Sequence, residues 1–121
     1  PGMALASGFV AAIDGAGLST SVAVITDGQL SGLNRGIAVG QISPEAAMGG
    51  PIGWVRDGDP IVIDMVGHTV TLALPPAELE ARRAGAPQTT PAVESGWLSI
   101  YERVVQPMHR GGVLVTPRRE P

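Results

Sequence analysis

The chain has 121 residues, of which 44% are hydrophobic and 16% are charged. This length suits one domain that buries roughly two thirds of its unfolded surface, and it is too short for two domains. The net charge of -3 and the lack of an Arg-rich cluster interleaved with aromatic residues argue against a nucleic-acid surface. The absence of cysteine excludes disulfides and any metal cluster held only by this chain's own thiolates. No apolar run reaches the length of a membrane span and no signal-type start is present, so we expect a soluble cytoplasmic protein.

The first predicted element is a helix over residues 3–14. Gly15 and Gly17 follow it as stop signals. Its apolar residues recur at helical spacing and predict one buried face: Met3, Leu5, Phe9, Val10 and Ile13.

A strand and a glycine-rich loop come next. Residues 22–25 are apolar and β-branched enough for a buried strand, and the loop after them contains Gly28, Gly32 and Gly36. Glycine permits tight backbone conformations, so this loop would present Ser31 at its surface. Ser31 could also be a simple turn residue, because Gly, Asp, Asn and Ser make up most turns. No Gly-x-Ser-x-Gly elbow is present, so a hydrolase triad has little support.

Residues 37–42 predict a second strand, and a one-turn helix follows it. In that helix Ser43 would be the N-cap, Pro44 the first residue and Gly49 the stop. Glu45 would then complement the helix dipole, and a direct contact with a metal or substrate is the alternative.

Three further strands are predicted over residues 52–55, 61–66 and 69–74. The last two would form a hairpin joined by Gly67 and His68, because a two-residue link that begins with glycine fits a type II′ turn. His68 is therefore expected in an exposed turn rather than in a metal site.

The remaining chain predicts two helices and a linker. The helix over 77–83 carries Glu78 four residues before Arg82, a favourable spacing for an ion pair. Residues 84–95 read as an extended surface linker, and 96–110 as a terminal helix whose apolar stripe suits core packing or a partner contact. Strands that alternate with short helices predict a single mixed α/β domain over residues 1–121.

Several of these motifs occur in a recognisable order. They are residues 24–28, 31–32, 36, 39–40, 42–47 and 49–52, followed by 55–59 and 78–83. Together they resemble the C-terminal domain of the dihydroxyacid and 6-phosphogluconate dehydratase family, which includes sugar-acid dehydratases. The resemblance covers most of residues 1–83.

This resemblance implies a swivelling β/β/α domain, in which a barrel-like mixed sheet is flanked by short helices. It also implies part of a hydro-lyase that dehydrates a 2,3-dihydroxy acid, either a branched-chain acid or a sugar acid, to a 2-keto acid. In the family, magnesium holds the substrate, an iron–sulfur cluster withdraws the 3-hydroxyl, and a loop serine removes the C2 proton. Ser31 would be that serine, in a substrate loop that includes Thr26, Asp27, Gly28 and Gly32.

The family holds its cluster and most of its magnesium ligands in a larger N-terminal domain. This chain would therefore need that domain, in the same or another polypeptide, to form an active site. Because relatives are homodimers, the complete protein is expected to be a homo-oligomer. We expect the chain alone to be inactive and to bind neither cofactor.

Three positions depart from the family pattern. The corresponding helix of the family opens with Pro-Gly-Met-Pro-Glu, whose glutamate binds magnesium, whereas here Ala4 and Leu5 occupy the last two positions. Leucine offers magnesium no oxygen ligand, and Asp14 lies about two and a half helical turns farther on. The sequence therefore predicts no metal ligand in this helix. Gln41 stands where many relatives carry histidine.

Three interpretations follow from these patterns. The chain could be a piece of a dehydratase, or a non-catalytic binding or regulatory module that kept the fold after glutamate was replaced by Leu5. It could also be an unrelated small β-rich domain, which would require coincidence across many motifs. A neighbouring segment that carries the missing cysteines would favour the dehydratase.

Overall fold

The computed structural model describes residues 3–32, 34–86 and 95–115. Three α-helices and four strands occur in this part of the chain. The helices are α1 (Met3–Gly15), α2 (Pro76–Gly85) and α3 (Trp97–Val104), and the strands are β1 (Val24–Ile25), β2 (Ala38–Val39), β3 (Ile61–Asp64) and β4 (Thr69–Leu72). Short 3₁₀ helices span Ala46–Met48, Pro51–Trp54 and Met108–Arg110.

The strands form two separate two-stranded sheets. β1 and β2 run parallel, with Val24 opposite Ala38, while β3 and β4 form an antiparallel hairpin. The mixed α/β class is confirmed. The barrel-like sheet is not, because the strands of the described residues are too short and too few to close one.

Helix α1 matches its predicted bounds, and it ends at a left-handed Gly17 two residues after its last turn. Its predicted apolar face is only partly covered. Val10 is 2% exposed and Ile13 is half-buried, but Phe9 is 59% exposed.

The segment after β2 differs from its prediction. The one-turn helix begins at Ala46 rather than at Pro44, and Ser43 does not cap it. Gly49 ends the helix in the left-handed conformation, as predicted. Residues 52–55 are not a strand: Pro51 favours the start of a helical turn, and the Gly53 N–H donates to the Gly50 carbonyl (3.0 Å).

The β3–β4 hairpin is connected by four residues rather than by the two predicted. The Asp64 carboxylate accepts the N–H groups of Val66 and Gly67, both at 2.8 Å, so β3 ends at Asp64, two residues before its predicted end. These two hydrogen bonds hold the pKa of Asp64 below its usual value, and the bond from Gly67 has the larger effect. His68 lies exposed in this turn, as predicted, with its backbone left-handed.

The hairpin has one apolar face. Its register places Ile61 opposite Leu72 and Ile63 opposite Val70, so these four aliphatic side chains share one side of the sheet. The other side is mainly threonine and Asp64. Ile61 is 39% exposed, so the apolar face is not fully covered by the described residues.

Arg82 of α2 joins the helix to the base of the hairpin. Its guanidinium forms two hydrogen bonds with the Asp59 carboxylate and donates to the Trp54 carbonyl (3.1 Å). It also makes the predicted contact with Glu78 (2.6 Å). The side chains of Arg82 and Asp59 are each 8% exposed, and this pairing lowers the pKa of Asp59 and raises that of Arg82.

Helix α3 is shorter than the predicted 96–110 helix and ends at Val104. Pro107 lacks the N–H that a longer helix needs, and the chain turns back so that Val105 pairs with Leu114. The tail contacts the segment before the first 3₁₀ helix: Glu45 accepts the Met108 N–H (3.0 Å), and Ser43 and His109 form a hydrogen bond (2.8 Å). Glu45 therefore binds the tail instead of complementing a helix dipole. The predicted linker lies mostly outside the described residues.

Candidate functional site

Ser31 lies in the loop between β1 and β2, where the sequence placed it. It is exposed and lines a cavity of about 370 Å³, which we call the Ser31 cavity. The polar side chains of this cavity belong to Ser31, Asn34 and Gln41, the apolar ones to Leu30 and Ala38, and the rest of the described wall is glycine. A hydroxyl is thus presented in a concave, uncharged setting.

The start of the loop is held by the continuation of the β1–β2 pair. The Thr26 N–H donates to Val39 O (3.0 Å), and the Gln41 N–H donates to Gly28 O (2.9 Å). The Thr26 hydroxyl accepts the Gly28 N–H (3.0 Å) and tightens the turn between them. The N–H and carbonyl groups of Thr26 and Gly28, on the path to Ser31, are therefore all hydrogen-bonded.

Asp27 ties this loop to the next segment of the chain. Its carboxylate accepts the N–H of Ala46, at the start of the first 3₁₀ helix, at 2.8 Å. Both residues are half-buried, so this hydrogen bond is partly shielded from water. Asp27 is a support for the loop in this geometry, since its carboxylate is occupied by a backbone donor.

Ser31 itself is held through its backbone. Its N–H donates to the hydroxyl of Ser7 in α1 at 2.9 Å, and its carbonyl accepts from the Asn34 side-chain amide. Helix α1 thus reaches the loop two residues after Leu5. Polar contacts on both sides fix the backbone of Ser31 while its side chain stays at the exposed surface.

Two glycines permit the close packing of this region. A side chain at Gly36 would lie 2.4 Å from the Ser19 carbonyl oxygen, and the residue has a left-handed φ of +83°. A side chain at Gly40 would press against Leu30 at 3.1 Å and Gly28 O at 3.3 Å. A side chain at Gly36 would therefore require the backbone of Ser19 to move, whereas one at Gly40 would crowd Leu30 and Gly28 by a few tenths of an ångström.

The predicted loop residues divide into two groups. Ser31 and Gly32 line the Ser31 cavity, whereas Thr26, Asp27 and Gly28 lie behind it and hold the loop in place. Asn34, Gln41 and Ser7 were not among the predicted site residues. Their contacts span the chain between helix, loop and strand, and only the unusual residue type of Gln41 marked any of them in the sequence.

A metal or cluster does not fit the donors of the residues that the structure describes. The described residues contain no group of three His, Cys, Asp or Glu side chains that could hold an ion, and the sequence has no cysteine. The two carboxylates beside the loop, Asp27 and Glu45, already accept backbone N–H groups. In the described ranges, no helix is long and apolar enough to cross a membrane.

Comparison with known proteins confirms the family resemblance. Residues 1–112 match the family model described as dihydroxy-acid/6-phosphogluconate dehydratase C-terminal. The chain is also 46% identical over 118 residues to a dihydroxy-acid dehydratase of Pyrobaculum neutrophilum, a match that covers 98% of this chain and 21% of that protein. The chain spans about a fifth of the length of this relative, in its C-terminal part. It belongs to the C-terminal domain family of the dihydroxy-acid and 6-phosphogluconate dehydratases.

Proposed function

We propose that this chain supplies the serine loop of a hydro-lyase that dehydrates a 2,3-dihydroxy acid to a 2-keto acid. The observation that carries the proposal is the position of Ser31: its hydroxyl lies exposed at a cavity, on a backbone fixed by Ser7 and Asn34. Membership of the dehydratase family gives the reaction class.

Ser31 is the proposed base. Its Oγ, as an alkoxide, takes the proton from C2 and the C3–O bond breaks, and the departing hydroxide takes that proton from the serine and leaves as water. The resulting enol becomes the 2-keto acid by moving a proton to C3. A serine is a weak base unless its anion is stabilised, and no charged side chain occurs among the described residues of the cavity wall. That stabilisation is therefore assigned to the rest of the protein.

The proposed partner is the larger N-terminal part of a dehydratase, in the same polypeptide or in another one. It would supply any iron–sulfur and magnesium ligands, because the described residues of this chain form no such site and its sequence has no cysteine. The exposed cavity and the uncovered hairpin face are consistent with an assembled protein in which this domain forms one wall of the site.

The test is Ser31→Ala in the assembled dehydratase, with release of 2-keto acid as the readout. We expect turnover to fall below detection while the thermal stability changes little, since an exposed hydroxyl contributes little packing. Ser21→Ala is the matched control, because Ser21 is also exposed but lies outside the cavity. Retention of most activity by Ser31→Ala would show that the base is another group.

A non-catalytic module of the same fold is the second candidate, and Leu5 favours it because leucine cannot bind magnesium. An assembled protein that never turns over, and gains activity on Leu5→Glu, would identify the chain as this degenerate form. Activity of the unmodified assembly supports the dehydratase instead.

A further inference from the structure

Gln41 has a backbone conformation that residues with side chains rarely adopt. Its φ is 57°, in the left-handed region that favours glycine. In the described part of the chain, His68 is the other non-glycine residue with a positive φ, and it closes the β3–β4 turn, where such a conformation is ordinary. Gln41 lies in no hairpin turn. Strained residues of this kind cluster at functional sites.

The conformation of Gln41 is fixed by its neighbours. Its N–H donates to Gly28 O at 2.9 Å, and Gly40 before it packs against Leu30 so closely that a side chain there would be 3.1 Å from Leu30 Cγ. The loop that carries Ser31 therefore sets the backbone of Gln41, and both residues line the same cavity.

The amide of Gln41 is available to a ligand. Asn34, the other amide of the cavity wall, already donates to the Ser31 carbonyl. Among the hydrogen bonds of the described residues, Gln41 takes part only through its backbone N–H. Its side chain can thus donate to and accept from a hydroxyl group in the cavity.

This wall chemistry distinguishes two kinds of substrate. No cationic side chain occurs among the described residues of the wall, so the wall is suited to the uncharged part of an acid and not to its carboxylate. An aliphatic tail would remove water from the Gln41 amide and return no hydrogen bond, which is unfavourable. A hydroxyl-bearing tail would replace that water.

We propose that Gln41 contacts the substrate and makes the Ser31 cavity select a polyhydroxy acid over an aliphatic dihydroxy acid. The proposal rests on the proposed function and names the substrate class of the same site. The Gln41 amide forms a hydrogen bond with a substrate hydroxyl beyond the reacting carbons, while Ser31 acts at C2.

The test measures equilibrium binding to the assembled dehydratase carrying Ser31→Ala, in which turnover is blocked. Calorimetry gives the Kd of D-gluconate, a polyhydroxy acid, and of 2,3-dihydroxy-3-methylbutanoate, an aliphatic one. Gln41→Met removes the amide at similar size, and Gln41→Gly removes it while suiting the left-handed backbone. His68→Gly is the matched control, because it relieves the same conformation in a turn that does not line the cavity.

We expect the parent to bind D-gluconate at least about tenfold more tightly than the aliphatic acid, since sites built to bind a hydroxyl discriminate strongly against its absence. Both Gln41 variants should bring this ratio close to one, and His68→Gly should leave it unchanged. A parent without the preference, or folded Gln41 variants that keep it, would overturn the proposal, as would binding of neither acid. Turnover is assayed separately with Ser31 intact: its absence counts against the proposed reaction, while the binding ratio still decides the role of Gln41.

Discussion

Asp27 shows how a single side chain can position a loop without touching its reactive group. Its carboxylate accepts the Ala46 N–H at 2.8 Å in a half-buried setting. Replacing it with alanine would leave that N–H without its partner, a loss of about 1–3 kcal/mol of local stability. We therefore predict that Asp27→Ala accelerates hydrogen exchange of the Ala46 amide at least about fivefold, measured by NMR.

The control for this prediction is Asp57→Ala, which removes an exposed carboxylate from the turn before β3. It should leave the Ala46 exchange rate unchanged. An Asp27→Ala protein with the exchange rate of the parent would show that the hydrogen bond is not formed in solution.

At the same scale, the sequence could predict the loop position of Ser31 but not the contacts that this loop makes with distant residues. Ser31 follows an apolar strand and sits among glycines, which is a local pattern. The left-handed backbone of Gln41 accompanies its hydrogen bond to Gly28, a contact between the segments that follow β1 and β2, and no local pattern encodes it. Likewise, Ser7 contacts Ser31 across 24 positions of sequence.

Among the elements, the contact of α2 with the base of the hairpin depends on one cation. Arg82 meets Asp59, Glu78 and the Trp54 carbonyl, and its side chain is 8% exposed. We predict that Arg82→Ala lowers Tm clearly more than Arg83→Ala does, because Arg83 pairs with Glu80 at the exposed surface. Equal Tm values for the two variants would contradict this role.

The pH dependence of the Arg82–Asp59 pair follows from the pKa of Asp59. Hydrogen bonds from Arg82 first, and then from the Arg56 N–H, hold this pKa below its usual value. A lowered pKa in the folded state means that Asp59 contributes its stability in full above the pKa of the unfolded chain, about 3.9. That contribution declines as pH falls through the lower folded pKa. The gap in Tm between Arg82→Ala and the parent should therefore persist at neutral pH and narrow only in acid.

The elements themselves were predictable where local rules decide. Helices α1 and α2 follow apolar or charged spacing and match their predictions within a few residues. Residues 52–55 were predicted as a strand because they are apolar, but Pro51 and the packing of Gly50 against Pro44 O impose a 3₁₀ turn. The predicted hairpin turn was two residues too short, because the side-chain hydrogen bonds of Asp64 determine where the turn begins.

At the scale of the whole molecule, far more apolar side chains are exposed than buried among the described residues. Among the hydrophobic residues whose side chains the structure describes, from residue 6 onward, only Val10 and Val24 are buried. So small a buried set does not form the core that the sequence predicts for one compact domain. Val66 is 93% exposed and Trp97 is 65% exposed, although side chains of this kind favour burial.

The apolar face of the hairpin, formed by four aliphatic side chains, is part of this exposed apolar surface. A two-stranded sheet is marginally stable in water unless another layer packs on it. The match covers 21% of the dehydratase relative, and the N-terminal partner of the proposed function would supply such a layer. Under that proposal, the uncovered apolar face of the hairpin is the expected contact with the partner.

The corresponding prediction concerns the chain with and without that partner. The isolated chain should bind the dye ANS, whose fluorescence rises on exposed apolar surface, and should unfold over a broad temperature range because its core is small. Assembly with the rest of the dehydratase should suppress the dye signal and sharpen the transition.

Two hairpin variants test the contact. Ile61→Asp should weaken assembly because it places a charge on the apolar face, and Val62→Thr is the control because Val62 lies on the opposite, mainly polar face of the hairpin. An isolated chain that unfolds sharply and binds no dye would show that its apolar surface is already covered in solution, and assembly unaffected by Ile61→Asp would place the contact elsewhere.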